Sequence, residues 1–157
     1  MCFLDINKLS KEGINYPRRL GNQFWVESHS QVLLLIGEFA AMSSPDCIFC
    51  KLASKKIPSD VVYEDDDVYA FNDLSPQAPV HVLVIPKSHL ENIAAASEYH
   101  VDLVGRLFLT ANKVAQLTGI AESGYRVIAN VGKEGGQSVD HLHVHVLGGR
   151  QLAWPPG

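Results

Sequence analysis

His141-Leu142-His143-Val144-His145-Val146-Leu147 alternates imidazole and aliphatic side chains without a break. Successive side chains of an extended strand point to opposite faces. The pattern therefore predicts a strand over His141 to Leu147, with Leu142, Val144 and Val146 toward a core and the three histidines on the other face. Same-face neighbours on such a strand stand roughly 6.5–7 Å apart, which lets a row of imidazoles serve one substrate. One or two histidines in this setting commonly make only a solvated polar face. Three at strict alternation, beside a glycine-rich turn, point to chemistry.

That turn is Asn130-Val131-Gly132-Lys133-Glu134-Gly135-Gly136-Gln137-Ser138. Adjacent glycines let backbone N–H groups approach an anion, and Ser138 and Asn130 can add side-chain hydrogen bonds. Alone it is weak, more often a plain loop. Next to a histidine able to attack phosphorus it becomes a phosphate cradle, because a neutral imidazole is a competent nucleophile near neutral pH and its phosphoryl adduct can be cleaved by water.

Working outward, Cys47 to Ser54 is expected as a short helix stopped before Pro58, and Val61 to Glu64 and Val68 to Asn72 as strands joined by Asp65-Asp66-Asp67. His81 to Ile85 is a β-branched run closed by Pro86. Ser97 is a candidate N-cap for a helix to about Leu117, whose Val101, Val104, Phe108, Ala111 and Ala115 recur at three- and four-residue steps and predict one buried face. Tyr125 to Asn130 completes the strands. Hairpins plus one long helix, with a short N-terminal helix, define an α+β fold: an antiparallel sheet with the helix packed on one face.

Composition agrees. In 157 residues, 46% hydrophobic and 19% charged with 12 Gly and 8 Pro, the mix is globular and excludes wholesale disorder, collagen and coiled coil. Thirteen basic against 17 acidic residues give a net charge of −4, which argues against nucleic acid as a partner. The best apolar run, Val32 to Ile36, falls far short of the ~20 residues of a membrane span. Three cysteines suit a reducing, cytoplasmic setting better than a disulfide framework. Residues 1–41 lack sustained periodicity, match a secretory signal or a mitochondrial transit peptide poorly, and are expected to be a mobile extension or an upstream-translated start; a targeting segment and an extra helix over Gln31 to Ala41 are the alternatives. The domain proper is expected over 42–157.

Further motifs narrow the class: Tyr63-Glu64-Asp65-Asp66, Phe71-Asn72-Asp73-Leu74-Ser75-Pro76-Gln77-Ala78-Pro79, Val84-Ile85-Pro86-Lys87, Gly135-Gly136-Gln137-Ser138, Gly148-Gly149-Arg150-Gln151 and Trp154-Pro155-Pro156-Gly157. With His-x-His-x-His, they resemble the histidine triad (HIT) family, and within it the Hint branch, over roughly Asp46 to Gly157. The resemblance implies a homodimer that hydrolyses purine nucleoside phosphoramidates through a nucleotidyl-histidine. By position His143 would be the nucleophile and His145 the contact to phosphate or leaving group. Ser138 and Asn130 would be hydrogen-bonding partners, with Gly136 and Gln137 in the same cradle. His81 resembles a histidine that supports the catalytic one, and Asp73 the carboxylate that takes both ribose hydroxyls. Ile48, Phe49, Leu52, Phe71, Leu74 and Leu83 would wall the purine pocket, although each alone is as readily plain core. Trp154 resembles a residue that reaches toward the partner subunit's site.

Cys47 and Cys50 carry the spacing that lets two thiolates grip one metal, and His89 and His141 could complete a Cys₂His₂ shell. Bacterial-type Hint relatives carry this set as a structural zinc site. Two free core thiols or a redox pair are the rivals, the latter lacking its usual βαβ context. A nucleotide-binding regulatory protein of the same fold, or a dinucleoside polyphosphate hydrolase, are the alternative functions; the Trp-Pro-Pro-Gly terminus argues against the second.

Overall fold

The computed structural model describes residues 44–156 together with Arg19–Leu20 and Gln23–Phe24. The chain divides into two units, Met1–Phe39 and Ala40–Gly157. Of the first unit only β1 (Arg19–Leu20) and β2 (Gln23–Phe24) are described, paired antiparallel. Otherwise the extension expected over 1–41, its alternative helix and Cys2 lie outside the described residues.

The second unit opens with α1 (Ile48–Ala53), entered through an extended Cys47 and closed where Ser54 Oγ donates to the Cys50 carbonyl at 2.7 Å. Next come β3 (Val61–Glu64) and β4 (Val68–Asn72), with the bounds the sequence predicts. Their turn forms because one Asp65 carboxylate oxygen accepts the N–H groups of Asp67 and Val68, both at 2.9 Å. β5 (Val80–Pro86), α2 (Val101–Leu117), β6 (Tyr125–Ile128) and β7 (Val144–Gly148) follow. The sheet runs β3-β4-β5-β7-β6, antiparallel throughout.

Alternation along the strands builds two cores. Val68, Ala70, Val82, Val84, Leu142, Val144 and Val146 face α2, where Leu107, Ala111 and Val114 meet them. Phe71, Leu83 and Ile85 face the other way and pack with Phe49, Leu52 and Ala53 of α1 and with Tyr69. Each fully buried aliphatic or aromatic side chain stabilises the fold by about 1.5–3 kcal/mol, so both faces are anchored.

Three expectations are corrected. Ser97 does cap the helical segment, but Glu98–His100 form a 3₁₀ turn before α2 begins at Val101. The buried stripe of α2 is Leu107, Thr110, Ala111, Val114 and Ala115, whereas Val101 and Phe108 are 66% and 48% exposed. Two neighbouring apolar lines run along this helix, and spacing alone does not say which one meets the sheet. Finally, β6 stops at Ile128 and β7 starts only at Val144. The ladder ends there because the Pro86 carbonyl is taken by the His141 ring at 2.9 Å, and the Leu142 N–H turns to the Leu90 carbonyl. The facing pattern survives without the ladder, since Leu142 remains in the core with Val144 and Val146.

Candidate active site

The three triad imidazoles differ in the group each ring nitrogen meets, and a backbone carbonyl can only accept while a backbone N–H can only donate. His141 Nε2 lies 2.9 Å from the Pro86 carbonyl, so that nitrogen carries the proton and Nδ1 presents its lone pair. Nδ1 faces Cys47 Sγ at 3.4 Å and Cys50 Sγ at 3.6 Å, and His89 Nδ1 lies 3.5 Å from Cys50 Sγ. All four donor atoms fall within 4.8 Å of one another. A tetrahedral shell with metal–sulfur bonds near 2.3 Å and metal–nitrogen bonds near 2.0–2.1 Å has sulfur–nitrogen edges of roughly 3.5 Å. The cluster fits that shell, and the Pro86 carbonyl is the outer partner that orients a ligating histidine. Burial pushes His141 down to about 4, against the Pro86 hydrogen bond and helped by His89 and His143, so the ring is in its neutral, ligating form. Burial likewise pushes the Cys50 thiol up, and a bound cation is what would favour its thiolate.

His143 has the opposite tautomer. Its Nδ1 donates to the His141 carbonyl at 2.7 Å, which leaves Nε2 with a lone pair and no hydrogen-bond partner among the described residues. The Phe49 ring meets it edge-on at 5.3 Å, and only 3% of the residue is exposed.

At His145 the assignment arrives through a second histidine. The Gln77 N–H donates to His81 Nδ1 at 3.2 Å, so the His81 proton is on Nε2. That proton is donated to His145 Nδ1 at 2.9 Å, with Asp73 Oδ2 a more distant acceptor at 3.4 Å. His145 must then carry its own proton on Nε2, which is buried and unpartnered. Burial holds His145 down to about 4, reinforced by His143 and His81 and opposed by Asp73. Burial lowers His81 too, again against Asp73. A lone-pair nitrogen on His143 thus stands beside an N–H donor on His145, with ring centres 4.9 Å apart. This pairing can attack an electrophile and hold its oxygen.

The glycine-rich turn is pinned by Gln137. Its amide donates to the Glu91 and Val139 carbonyls at 2.8 and 2.9 Å and accepts the Gly132 N–H at 3.0 Å. Asn130 Nδ2 donates to the Gly136 carbonyl at 3.4 Å. Gly136 has φ +78, and a Cβ on Gly135 would collide with the Val131 carbonyl, so both positions require glycine. Ser138 is exposed beside a cavity of about 390 Å³ that Ile48, Cys47, His89 and Asp140 also line. Asp73 accepts the Ser75 N–H at 2.8 Å, and its side chain is 19% exposed. Phe49, Leu52, Phe71 and Leu83 lie together in a buried cluster, whereas Leu74 and Trp154 stand 99% and 84% exposed, each apart from it.

Sequence reasoning missed the groups that assign the protons: the Pro86 and His141 carbonyls and the Gln77 N–H. Backbone groups have no letter of their own. The His81–His145 contact follows from strand register, which pairs His81 with Leu147 and Leu83 with His145 on one face.

A fold of this order with a histidine triad at its centre matches a known class. The HIT domain model covers residues 54–152, and the chain belongs to that family. Among proteins of known name it is similar to adenylylsulfatase HINT1 of Arabidopsis thaliana, 52% identical over 75% of this chain and 81% of the relative. It is also similar to a 14 kDa zinc-binding protein of Brassica juncea, 54% identical over 71% of this chain and all of the relative. Among solved structures, a HIT family hydrolase from Legionella pneumophila Philadelphia 1 matches with a TM-score of 0.70 and 47% identity, covering 71% of this chain and 100% of that one.

Proposed function

We propose that the protein is a hydrolase of purine nucleoside 5′-phosphoramidates that works through a nucleotidyl group on His143. The observation that carries this reading is the pair of opposed tautomers: a free lone pair at His143 Nε2 beside an unpartnered N–H at His145 Nε2. In the first step His143 Nε2 forms a bond to phosphorus and the P–N bond breaks. The hydrogen bond from His143 Nδ1 to the His141 carbonyl stabilises the positive charge that develops on the ring. His145 Nε2–H donates to a phosphoryl oxygen, as a preorganised donor in a desolvated site. The departing amine takes its proton from solvent, relayed by the exposed Ser138 hydroxyl, which donates one proton and accepts another. In the second step water attacks phosphorus and loses a proton to solvent, balancing the one the amine took; the P–N(His143) bond breaks, His143 regains its lone pair, and the nucleoside monophosphate leaves. His81 acts through His145 and Asp73 takes the ribose hydroxyls; the Gly136 and Gln137 N–H groups are taken by the Lys133 and Gly132 carbonyls, so these residues shape the phosphate cradle while Asn130 and Ser138 supply its donors. Ile48, Phe49, Leu52, Phe71 and Leu83 surround the base, whereas Leu74, 99% exposed, stands outside that wall, and Trp154 serves the site across a homodimer.

Cys47, Cys50, His89 and His141 would hold a structural zinc ion. A closed four-ligand shell leaves no open position, so the ion would tie α1 to the segment before β7 rather than take part in turnover.

A second reading has adenylyl sulfate as substrate, favoured by the name of the 52%-identical Arabidopsis relative. It uses the same intermediate, with a sulfate that leaves without needing a proton. Turnover of adenosine 5′-phosphoramidate, adenylyl sulfate and a diadenosine polyphosphate, compared on one preparation, separates the readings. The first is expected to be hydrolysed fastest. His143→Ala is expected to lower turnover at least a thousandfold, roughly the scale of removing a nucleophile, while adenosine monophosphate still binds. Near-normal turnover in that variant, or nucleotide trapped on another residue by rapid quenching, would sink the mechanism. Nucleotide binding without any turnover would favour a regulatory protein instead.

A further inference from the structure

The two central strands end together, and the chain beyond them is tied as well. The β5–β7 ladder closes at Val80 opposite Gly148. Gly149 follows with φ +84, so near the incoming loop that a Cβ there would lie 3.0 Å from Pro79 Cβ. Arg150 then reaches back across the ladder's end. Its Nη2 donates to the Gln77 carbonyl at 3.1 Å while Nη1 donates to the Gln151 carbonyl at 3.1 Å.

Gln77 is the residue whose N–H donates to His81 Nδ1. One line of donors therefore runs from the Arg150 guanidinium to the Gln77 carbonyl, from the Gln77 N–H to His81, from His81 Nε2 to His145 Nδ1, and out to the unpartnered His145 Nε2. We infer that Arg150 is a positioning residue: by holding Gln77 it keeps that N–H on His81 and so selects which nitrogen of His145 carries the proton facing the substrate.

The choice matters because the line is reversible beyond Gln77. Neutral imidazole has two tautomers, and the hydrogen bond made by one nitrogen decides the other. With the Gln77 N–H turned away, His81 is free to carry its proton on Nδ1. Its Nε2 then accepts from His145 Nδ1, and His145 Nε2 becomes a lone pair. A donor aimed at a phosphoryl oxygen would turn into an acceptor that repels it. Both Arg150 and Gln77 are exposed, so neither is needed to fill the core, and the clamp acts on orientation.

The catalytic consequence rests on the phosphoramidate reading, but the tautomer does not. The test uses the full chain as isolated, with histidine ring ¹⁵N labels, and reads the ring-nitrogen resonances of His81 and His145 by NMR near pH 7 without ligand. Turnover of adenosine 5′-phosphoramidate is measured on the same samples. Wild type is expected to show both rings protonated on Nε2. Arg150→Ala should mix the tautomers at His145 and lower kcat about tenfold, the scale of one lost hydrogen bond, with KM changed less than about twofold. Arg150→Lys, which keeps one donor for the Gln77 carbonyl, should fall between. Unchanged tautomers in Arg150→Ala overturn the inference, and so do mixed tautomers with unaltered kcat. If wild type turns over no phosphoramidate while its tautomers still respond to Arg150→Ala, the clamp stands and the substrate assignment falls.

Discussion

His145 keeps a buried N–H without a partner, a deficit that typically costs about 1–3 kcal/mol and that a bound phosphoryl oxygen would remove. The same burial makes its charged form costly. His145 is held down to about 4, and His81 is lowered as well, whereas an unfolded chain titrates its histidines near 6.5. Between those limits the unfolded state binds more protons, so this contribution to stability is intact above about pH 6.5 and is lost as pH falls toward 4. The thermal midpoint is expected to drop between pH 7 and pH 4.5, and to drop less in His145→Asn at equal metal content. An equal drop in both would assign the acid sensitivity elsewhere.

Among the elements, α1 is the one that most needs help. It spans six residues, and Cys47 gives it no side-chain cap. So short a helix is marginal on its own, and what holds it is the burial of Phe49 and Leu52 together with the Cys47, Cys50, His89 and His141 cluster. The purified protein is expected to contain about one zinc per chain, the complement of a single Cys₂His₂ shell. Chelation should lower the thermal midpoint clearly while slowing turnover much less. A metal-free preparation with full stability and two freely titrating thiols would count against the site. At this scale the sequence was most legible where the signal was local. β3 and β4 begin and end where turn residues and β-branched runs say they should, because the Asp65 turn is made by its own neighbours. The start of β7 was not legible, since it depends on which donor the Pro86 carbonyl takes, a residue 55 positions from His141. The face of α2 was misread for a similar reason: the sheet, not the helix, chooses between adjacent apolar lines. In the site, residue types were legible from motif, but the proton on each ring was set by backbone groups brought there by folding.

Taken whole, the domain places α2 on one face of the sheet and α1 with the histidines on the other. Along α2, Val101, Leu109 and Leu117 remain exposed, at 66%, 73% and 57%, and β6 is an edge strand. Exposed apolar side chains and an open strand edge each suit a two-fold pair, in which each subunit offers the same surface. A homodimer is expected at micromolar concentration, and sedimentation showing only single chains at high concentration would exclude it. No helix among the described residues is long and apolar enough to cross a membrane. The position of β7, hydrogen-bonded to β5 on one side and β6 on the other, also bears on how the protein should fail. A strand with neighbours on both sides opens only in the largest cooperative unit of a domain. On warming, the β7 amide hydrogens should therefore exchange only with the global melt, whereas those of His141 and His143, which precede the ladder, should exchange earlier.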